Sequence, residues 1–523
     1  MLLPAAQIAC LPLFTLLLVG LCPTAWMNRN VTVVRRVLNY LTGLNALAAG
    51  SLLAIVQVTG PLDWTLGPQL PISLRLYVDG AAALMLTLVA VVGWVICRFS
   101  ARYLDGEAQQ GRYFRWTVFT IGTVSLAVVA SNLIVLTGSL FLTSAGLHQL
   151  LIHYRDRRAA RRSAATKFVF SRLGDICLLT AAFALYYEFG TFELPELFAS
   201  ISQLSQTTIA NSWALPLAAW SLVACAMFKS AQFPFHTWLP ETMEAPTPVS
   251  ALMHAGIVNA GGYLLVRTAP IVLLTPAALR TIAVLGVFTA LLAALVMISQ
   301  TSIKRKLAWS TIAQMGFMIM QCGLGAFSAA MLHIVAHSLY KAHAFLSSGS
   351  VMTDRAATAT VAAPRHGQLA HVAAFALAFG ISLSLFIVSA SLFGIAAESK
   401  PGGLILGLVL CFGIAHWMHR MFATGRAFVV PGLAVSTGLM LAYFTSFVAV
   451  DLIVAPSLLA APSPFTSASF TMGAGVAFAA LLIVESTVRH ARHSEWMKSL
   501  YVHSSNGFYV DAFWRQAAKS LSA

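Results

Sequence analysis

Apolar runs of about 20 residues recur along nearly the whole chain, and each is long enough to cross roughly 30 Å of hydrocarbon. Inside a bilayer the backbone has no water to bond. A crossing segment must therefore satisfy its own N–H and C=O groups, and a helix does so within itself. The chain is thus predicted to be an all-α polytopic membrane protein. Composition agrees: 59% of the 523 residues are hydrophobic and 9% are charged, where soluble domains carry about 25% charged residues. That balance excludes a soluble enzyme, a disordered chain and a small secreted scaffold. The seven cysteines, Cys10, Cys22, Cys97, Cys177, Cys225, Cys322 and Cys411, are scattered, with neither CxxC nor metal-ligand spacing. They read as buried small hydrophobes, with no disulfide framework and no metal site in this chain.

Fifteen spans are expected, at about 1–22, 37–57, 76–97, 116–131, 132–154, 168–187, 212–231, 248–266, 281–299, 307–322, 325–350, 371–393, 402–418, 428–450 and 466–488. The first run has no basic residue before it and reads as a span rather than a cleaved leader. With the N-terminus outside, 25 of the 32 Lys and Arg residues fall on inward segments and four, Arg75, Arg267, Arg280 and Lys400, on outward ones. Three, Arg172, Lys229 and Lys341, lie within spans. Such asymmetry is the positive-inside pattern, so N-out and C-in are expected. The net charge of +15 is then topological, and its spread over seven segments does not suit a nucleic-acid surface. Residues 59–75 alternate between turn residues and short strands and predict an outward β-hairpin. The polar, aromatic-rich tail after His490 is expected to be an inner interfacial segment or docking surface.

Ionisable groups inside a bilayer are costly and mark functional sites. Lys229 ends an apolar run and is followed by Pro234, Pro240, Pro246 and Pro248, which must break the helix. A lysine beside opened backbone, with His236 and His254 following, suits a proton relay; the alternative is a structural Lys paired with Glu244 or Asp175. His333, His337 and Lys341 are spaced four apart and share one helix face, roughly 6 Å apart by rise. They too suit a relay. A zinc site is the rival, but Lys341 would repel the cation and the Glu of a zincin pattern does not follow His333. His343 is off this face. Asp175 stands three residues after Arg172 and reads either as an ion pair or as a relay member. Glu485 and Arg489 read as an ion pair, and Asp79 as a helix cap.

The segments LYVDG, FVFSRLGD, KSAQFPFHTWLPETMEAPTPVSALMHAG, SIKRKLAWSTIAQMGFM and HIVAHSLYKAHAFLSSGSV span about residues 76–351. Together they resemble the proton-conducting, antiporter-like membrane subunits: the L-type subunit of respiratory complex I and the large subunit of Mrp sodium/proton antiporters. The resemblance implies two inverted five-helix repeats with discontinuous helices. It divides the chain into three N-terminal helices with the hairpin (1–115), a first repeat (116–270), a second repeat (271–426), C-terminal helices (427–488) and an inner tail (489–523). It makes Lys229 the central lysine of the first repeat, His254 its neighbour, and His333, His337 and Lys341 the connection to the second, where Lys400 is a weak match to the family lysine. The family glutamate of the fifth helix is missing: its position falls on Phe141 or Leu142, and His148 is the nearest polar replacement. Lacking that glutamate, the TS-x-x-LH-x-LL pattern at Thr143 to Leu151 and the RDRRAARR loop resemble a narrower group, the DabB membrane subunits of bacterial inorganic-carbon (DAB) complexes. The chain also stops soon after its fifteenth span, where the L-type subunit continues into a lateral helix.

That narrower resemblance implies a multi-pass protein of the bacterial cytoplasmic membrane that conducts a cation, H+ or Na+, with H+ favoured. It implies a DabA-like cytoplasmic partner similar to β-carbonic anhydrases. Zinc and CO2 hydration would belong to the partner, leaving this chain neither an enzyme nor a cofactor binder. Alternatives are an antiporter or complex I-like subunit without carbon chemistry, and a non-conducting anchor.

Overall fold

The computed structural model describes residues 2–66, 74–349, 368–395, 402–424, 429–458, 470, 472–481, 495–514 and 516. Every one of the fifteen apolar runs coincides with helix in these residues. Among the described residues nine helices are long and apolar enough to cross a membrane by length and composition. Lys400, Glu485 and Arg489 lie outside the described residues.

Helix ends depart from the apolar runs where amphipathic turns extend them. The run expected at 168–187 belongs to a helix spanning Arg158–Phe189. Lys167 is therefore not a loop cation. It faces the bundle, 3% exposed, while Arg161, Arg162 and Lys167's neighbour Thr166 lie on other faces. The third span begins at Gly80 rather than 76, because Leu74–Val78 is a strand. That strand, β2, pairs antiparallel with β1, Leu62–Leu66, in the register Leu62↔Val78 to Leu66↔Leu74. Arg75 reaches from β2 to Asp63 on β1 at 2.7 Å and to Glu196 at 2.8 Å, tying the hairpin to the Leu194–Ser202 helix. Asp79 caps the Gly80–Tyr103 helix by accepting from the Ala82 amide at 2.8 Å. Its other oxygen pairs with Arg267 at 2.7 Å. That pair is buried, so Arg267 is not an outward surface charge.

Helices pack through small residues, as they must where lipid gives no hydrophobic drive between apolar faces. The Pro276–Ser299 and Ile303–Gly323 helices meet at Gly286 and Gly316, where a Cβ on Gly316 would lie 2.5 Å from the Ala290 amide. Any side chain there forces the two backbones apart.

The prolines act as expected. The Ala214–Lys229 helix stops at Lys229. The chain then runs through a cis Phe233–Pro234 bond to a short turn at Trp238–Glu241. Helix resumes over Thr247–Ala255, breaks at Gly256 and continues over Ala260–Arg267. The tail after His490 does not lie free. Its Glu495–Ser505 helix is followed by Trp514, whose Nε1 donates to the Pro234 carbonyl at 2.9 Å. The aromatic ring of Trp514 packs on Phe170 and Phe235, so the tail seats on the broken segment itself.

Candidate functional site

Two clusters of buried ionisable groups lie along the interior. The first forms where the Ala214–Lys229 helix ends against the Arg158–Phe189 helix. Lys229 stands at its helix C-terminus, where unpaired carbonyls and the helix dipole favour a cation. Its Nζ donates to Asp175 Oδ1 in a direct ion pair. Gly174 makes the approach possible, since a Cβ there would lie 3.2 Å from Lys229 Cε. Arg172 takes the other Asp175 oxygen at 2.7 Å and lays its guanidinium 3.8 Å over the Phe141 ring.

This geometry decides between the expected partners. Of the two carboxylates named as alternatives for Lys229, Asp175 touches it. Glu244 does not, because it pairs with Arg157 at 3.2 Å. His148 does not replace the missing glutamate: its Nδ1 faces the Ala164 carbonyl at 3.2 Å and its ring packs on Phe168. Phe141, one of the two residues on which the resemblance puts the family glutamate, is a platform for Arg172.

The second cluster joins three elements: Thr247–Ala255, Ile303–Gly323 and Phe327–Leu346. His254 is fully buried, stacked on Phe345, with Nδ1 3.2 Å from Thr311 Oγ1. His337 has Nδ1 2.6 Å from Gln314 Oε1 and Nε2 3.1 Å from the His254 carbonyl. The His333 ring centroid lies 5.9 Å from that of His337, one turn along the same face. Lys341, 0% exposed, donates to the Leu307 carbonyl at 3.2 Å and Ser310 Oγ at 2.8 Å. His343 is exposed near the end of this helix, off the face as expected.

These partners suit groups that change protonation. A neutral imidazole has one N–H, an imidazolium two. Between the His254 carbonyl and Gln314, His337 is satisfied in either state, because an amide rotates to present O or NH2. Thr311 and Ser310 hydroxyls likewise accept or donate. Four of these partners, Leu307, Ser310, Thr311 and Gln314, follow helical spacing on one face. That spacing within SIKRKLAWSTIAQMGFM was a readable signal that sequence reasoning passed over. Asn259 links the clusters' shared element to the Phe327–Leu346 helix by donating to Ser338 Oγ at 2.8 Å.

A cavity of about 50 Å³ adjoins the first cluster, lined by Lys229, Lys167, Ser144, Trp238 and the Gly256–Ile257 break. By the same measure a water needs only about 10–15 Å³. The break that carries His254 toward the second cluster thus borders space that can be wet. His236 is buried in the loop after Lys229, stacked on Phe233 and tilted against Trp309, rather than joining either cluster.

Comparison with known proteins reaches the same residues. Residues 130–399 match the family described as NADH:quinone oxidoreductase/Mrp antiporter, TM, and residues 64–114 match the N-terminus of complex I chain 5. The probable inorganic carbon transporter subunit DabB2 of Halothiobacillus neapolitanus is 36% identical over 452 residues, 84% of this chain and 79% of that protein. The DabB counterpart in Hydrogenovibrio crunogenus is 42% identical over 52% of each chain, so this chain spans about half of its length. Among solved structures, a chain of the Mrp complex from Dietzia sp. shares the fold, with a TM-score of 0.67 at 24% identity over 98% of this chain and 59% of that one.

Proposed function

Because this chain belongs to the NADH:quinone oxidoreductase/Mrp antiporter family, and within it to the DabB group of inorganic carbon transporter subunits, we propose that it conducts protons to drive inorganic carbon accumulation. The observation that carries the reading is the second cluster. His337 and Lys341 each meet partners that tolerate gain or loss of a proton, and His254 meets one at Nδ1. A static scaffold has no use for that tolerance, and burying such groups is expensive.

In this reading protons reach Lys229 through the water-sized cavity, pass the Gly256 break to His254, and continue along His337 and His333 or Lys341. The fifteen helices cross the membrane with the N-terminus outside and the tail inside, arranged as two inverted repeats. The β-hairpin is outward. Zinc and CO2 hydration reside on a soluble carbonic-anhydrase-like partner at the inner face, and proton flow makes its hydration vectorial. The second reading, a non-conducting anchor, draws on one observation: Lys229, Asp175 and Arg172 form a closed ion triad of the kind that merely holds helices together.

Growth of a carbonic-anhydrase-deficient bacterium at ambient CO2 tests this. Lys229→Ala should abolish growth while pull-down shows the complex intact. Lys229→Arg should fail too, because a guanidinium does not release its proton. Normal growth with Lys229→Ala leaves the anchor as the function.

A further inference from the structure

The cavity beside Lys229 is mostly apolar, and its lining carries two lysines, an arginine and an indole N–H but no carboxylate among the described residues. Lys229 has its carboxylate, Asp175; the second lysine in the wall, Lys167, has none among the described residues. Lys167 is 3% exposed, and its Nζ donates to Ser144 Oγ at 2.9 Å. The charged groups that act on it are Lys229, Arg172 and Asp175, two cations against one anion. Trp238 lines the same cavity, 3% exposed, and its indole N–H meets no acceptor among the described residues. A buried donor without an acceptor costs about 1–3 kcal/mol. One unpaired donor and an excess positive charge in the lining therefore suit a small anionic acceptor.

A free anion is the harder way to fill it, since bicarbonate must leave its hydration shell to enter a low-dielectric interior. CO2 carries no charge and dissolves in hydrocarbon. Burial without a counter-charge also favours the amine of a lysine over its ammonium, and a free amine is a nucleophile.

We propose that Lys167 is a site of reversible carbamylation by CO2. The amine lone pair attacks the carbon of CO2 and forms the N–C bond, while one C=O pair moves onto oxygen. The nitrogen then gives a proton to water. A neutral amine and CO2 become a carbamate of charge −1 and one released proton, with no oxidant or reductant involved. The carbamate oxygens accept from Ser144 Oγ–H, Trp238 Nε1–H and the Lys229 ammonium. The modification sets a negative group against the Leu133–Leu151 helix one turn beyond Phe141, on the helix where the family resemblance expects a glutamate. The covalent state of Lys167 is separate from ion conduction and is measured without it.

The experiment exposes the purified full chain to ¹³CO2 and traps carbamates with triethyloxonium tetrafluoroborate before peptide mass spectrometry. The expected result is a ¹³C-labelled ethyl carbamate on Lys167, absent in CO2-free buffer. Ser144→Ala and Trp238→Phe keep the lysine but each remove one donor, and occupancy should fall about tenfold at subsaturating CO2. Two results overturn the proposal. One is no adduct on Lys167 in cooperatively folded protein at saturating CO2, while a lysine peptide in the same tube is trapped. The other is an adduct whose occupancy is unchanged in both donor variants, which marks it as adventitious labelling.

Discussion

The two clusters hold buried lysines by opposite means. Lys229 is held by a fixed charge, Asp175, which Arg172 shares. Lys341 is held by a carbonyl and a hydroxyl, without any carboxylate in contact among the described residues. A fixed counter-ion pairs only with the charged form of a lysine; neutral polar partners can meet either form. Under the proposed relay, the difference would give the clusters different work: the first would be a gate, opening only if the ion pair is weakened, and the second a conduit.

The hardest test of that contrast removes the shared charge. Asp175→Asn leaves both Lys229 and Arg172 buried without their anion. Breaking a buried pair in this way costs about 3–5 kcal/mol. Thermal unfolding in detergent should show this as the largest loss of any variant here, with carbon-dependent growth abolished. Lys229→Ala should be milder, about 1–3 kcal/mol, because Asp175 keeps Arg172. If the two variants destabilise equally, Arg172 does not share the carboxylate and the triad dissolves into a simple pair.

How far the sequence revealed these clusters depends on the range of the signal. Apolar helices, the strand pair and the broken helix were legible because hydropathy, turn residues and prolines act locally. The column of His333, His337 and Lys341 was legible because four-residue spacing fixes a face. The Lys229–Asp175 pair was foreseen only as an alternative. It depends on two helices meeting with Gly174 between them, and contact between helices leaves no periodicity in either. Lys167 was misplaced because the apolar run starts at Phe168 while the helix starts ten residues earlier, among arginines that its outer faces leave exposed. The seat of Trp514 on Pro234 spans 280 positions, and no local pattern carries such a contact.

On the conduit side the expected result reverses. Lys341→Met strands no carboxylate and replaces a buried polar head with a side chain of similar length. Its unfolding should shift by about 1 kcal/mol, the cost of leaving the half-buried Ser310 hydroxyl without the lysine, well below that of a stranded charge. Proton uptake into proteoliposomes should nonetheless be lost. Gln314→Leu sharpens this further. It takes from His337 the amide that serves both protonation states, and should slow uptake without unfolding the protein. Uptake at the wild-type rate in Gln314→Leu would show that the His337 ring is structural.

The smallest effect is expected at the hairpin, where Glu196 forms a pair like that of Asp175 but in contact with water. The Thr191 hydroxyl, and then Arg75, hold the Glu196 carboxyl below its ordinary value of 4.5. A carboxyl depressed on folding adds stability above its unfolded value, and that stability disappears as pH falls through the folded value. Half of the Glu196 side chain is exposed, so solvent screens the pair and its worth is about 0.5 kcal/mol. Glu196→Gln should therefore be less stable than the unmodified chain by about that amount at pH 7, and indistinguishable from it well below pH 4.5. Detergent melts of the two proteins side by side measure the gap. Raising salt to about 1 M should close it at pH 7, because the screening length then falls to roughly 3 Å. The Asp175→Asn deficit should survive the same salt, since ions do not reach the buried triad. If salt erased both, the first cluster would be as wet as the hairpin, and its ion pair would open too readily to act as a gate.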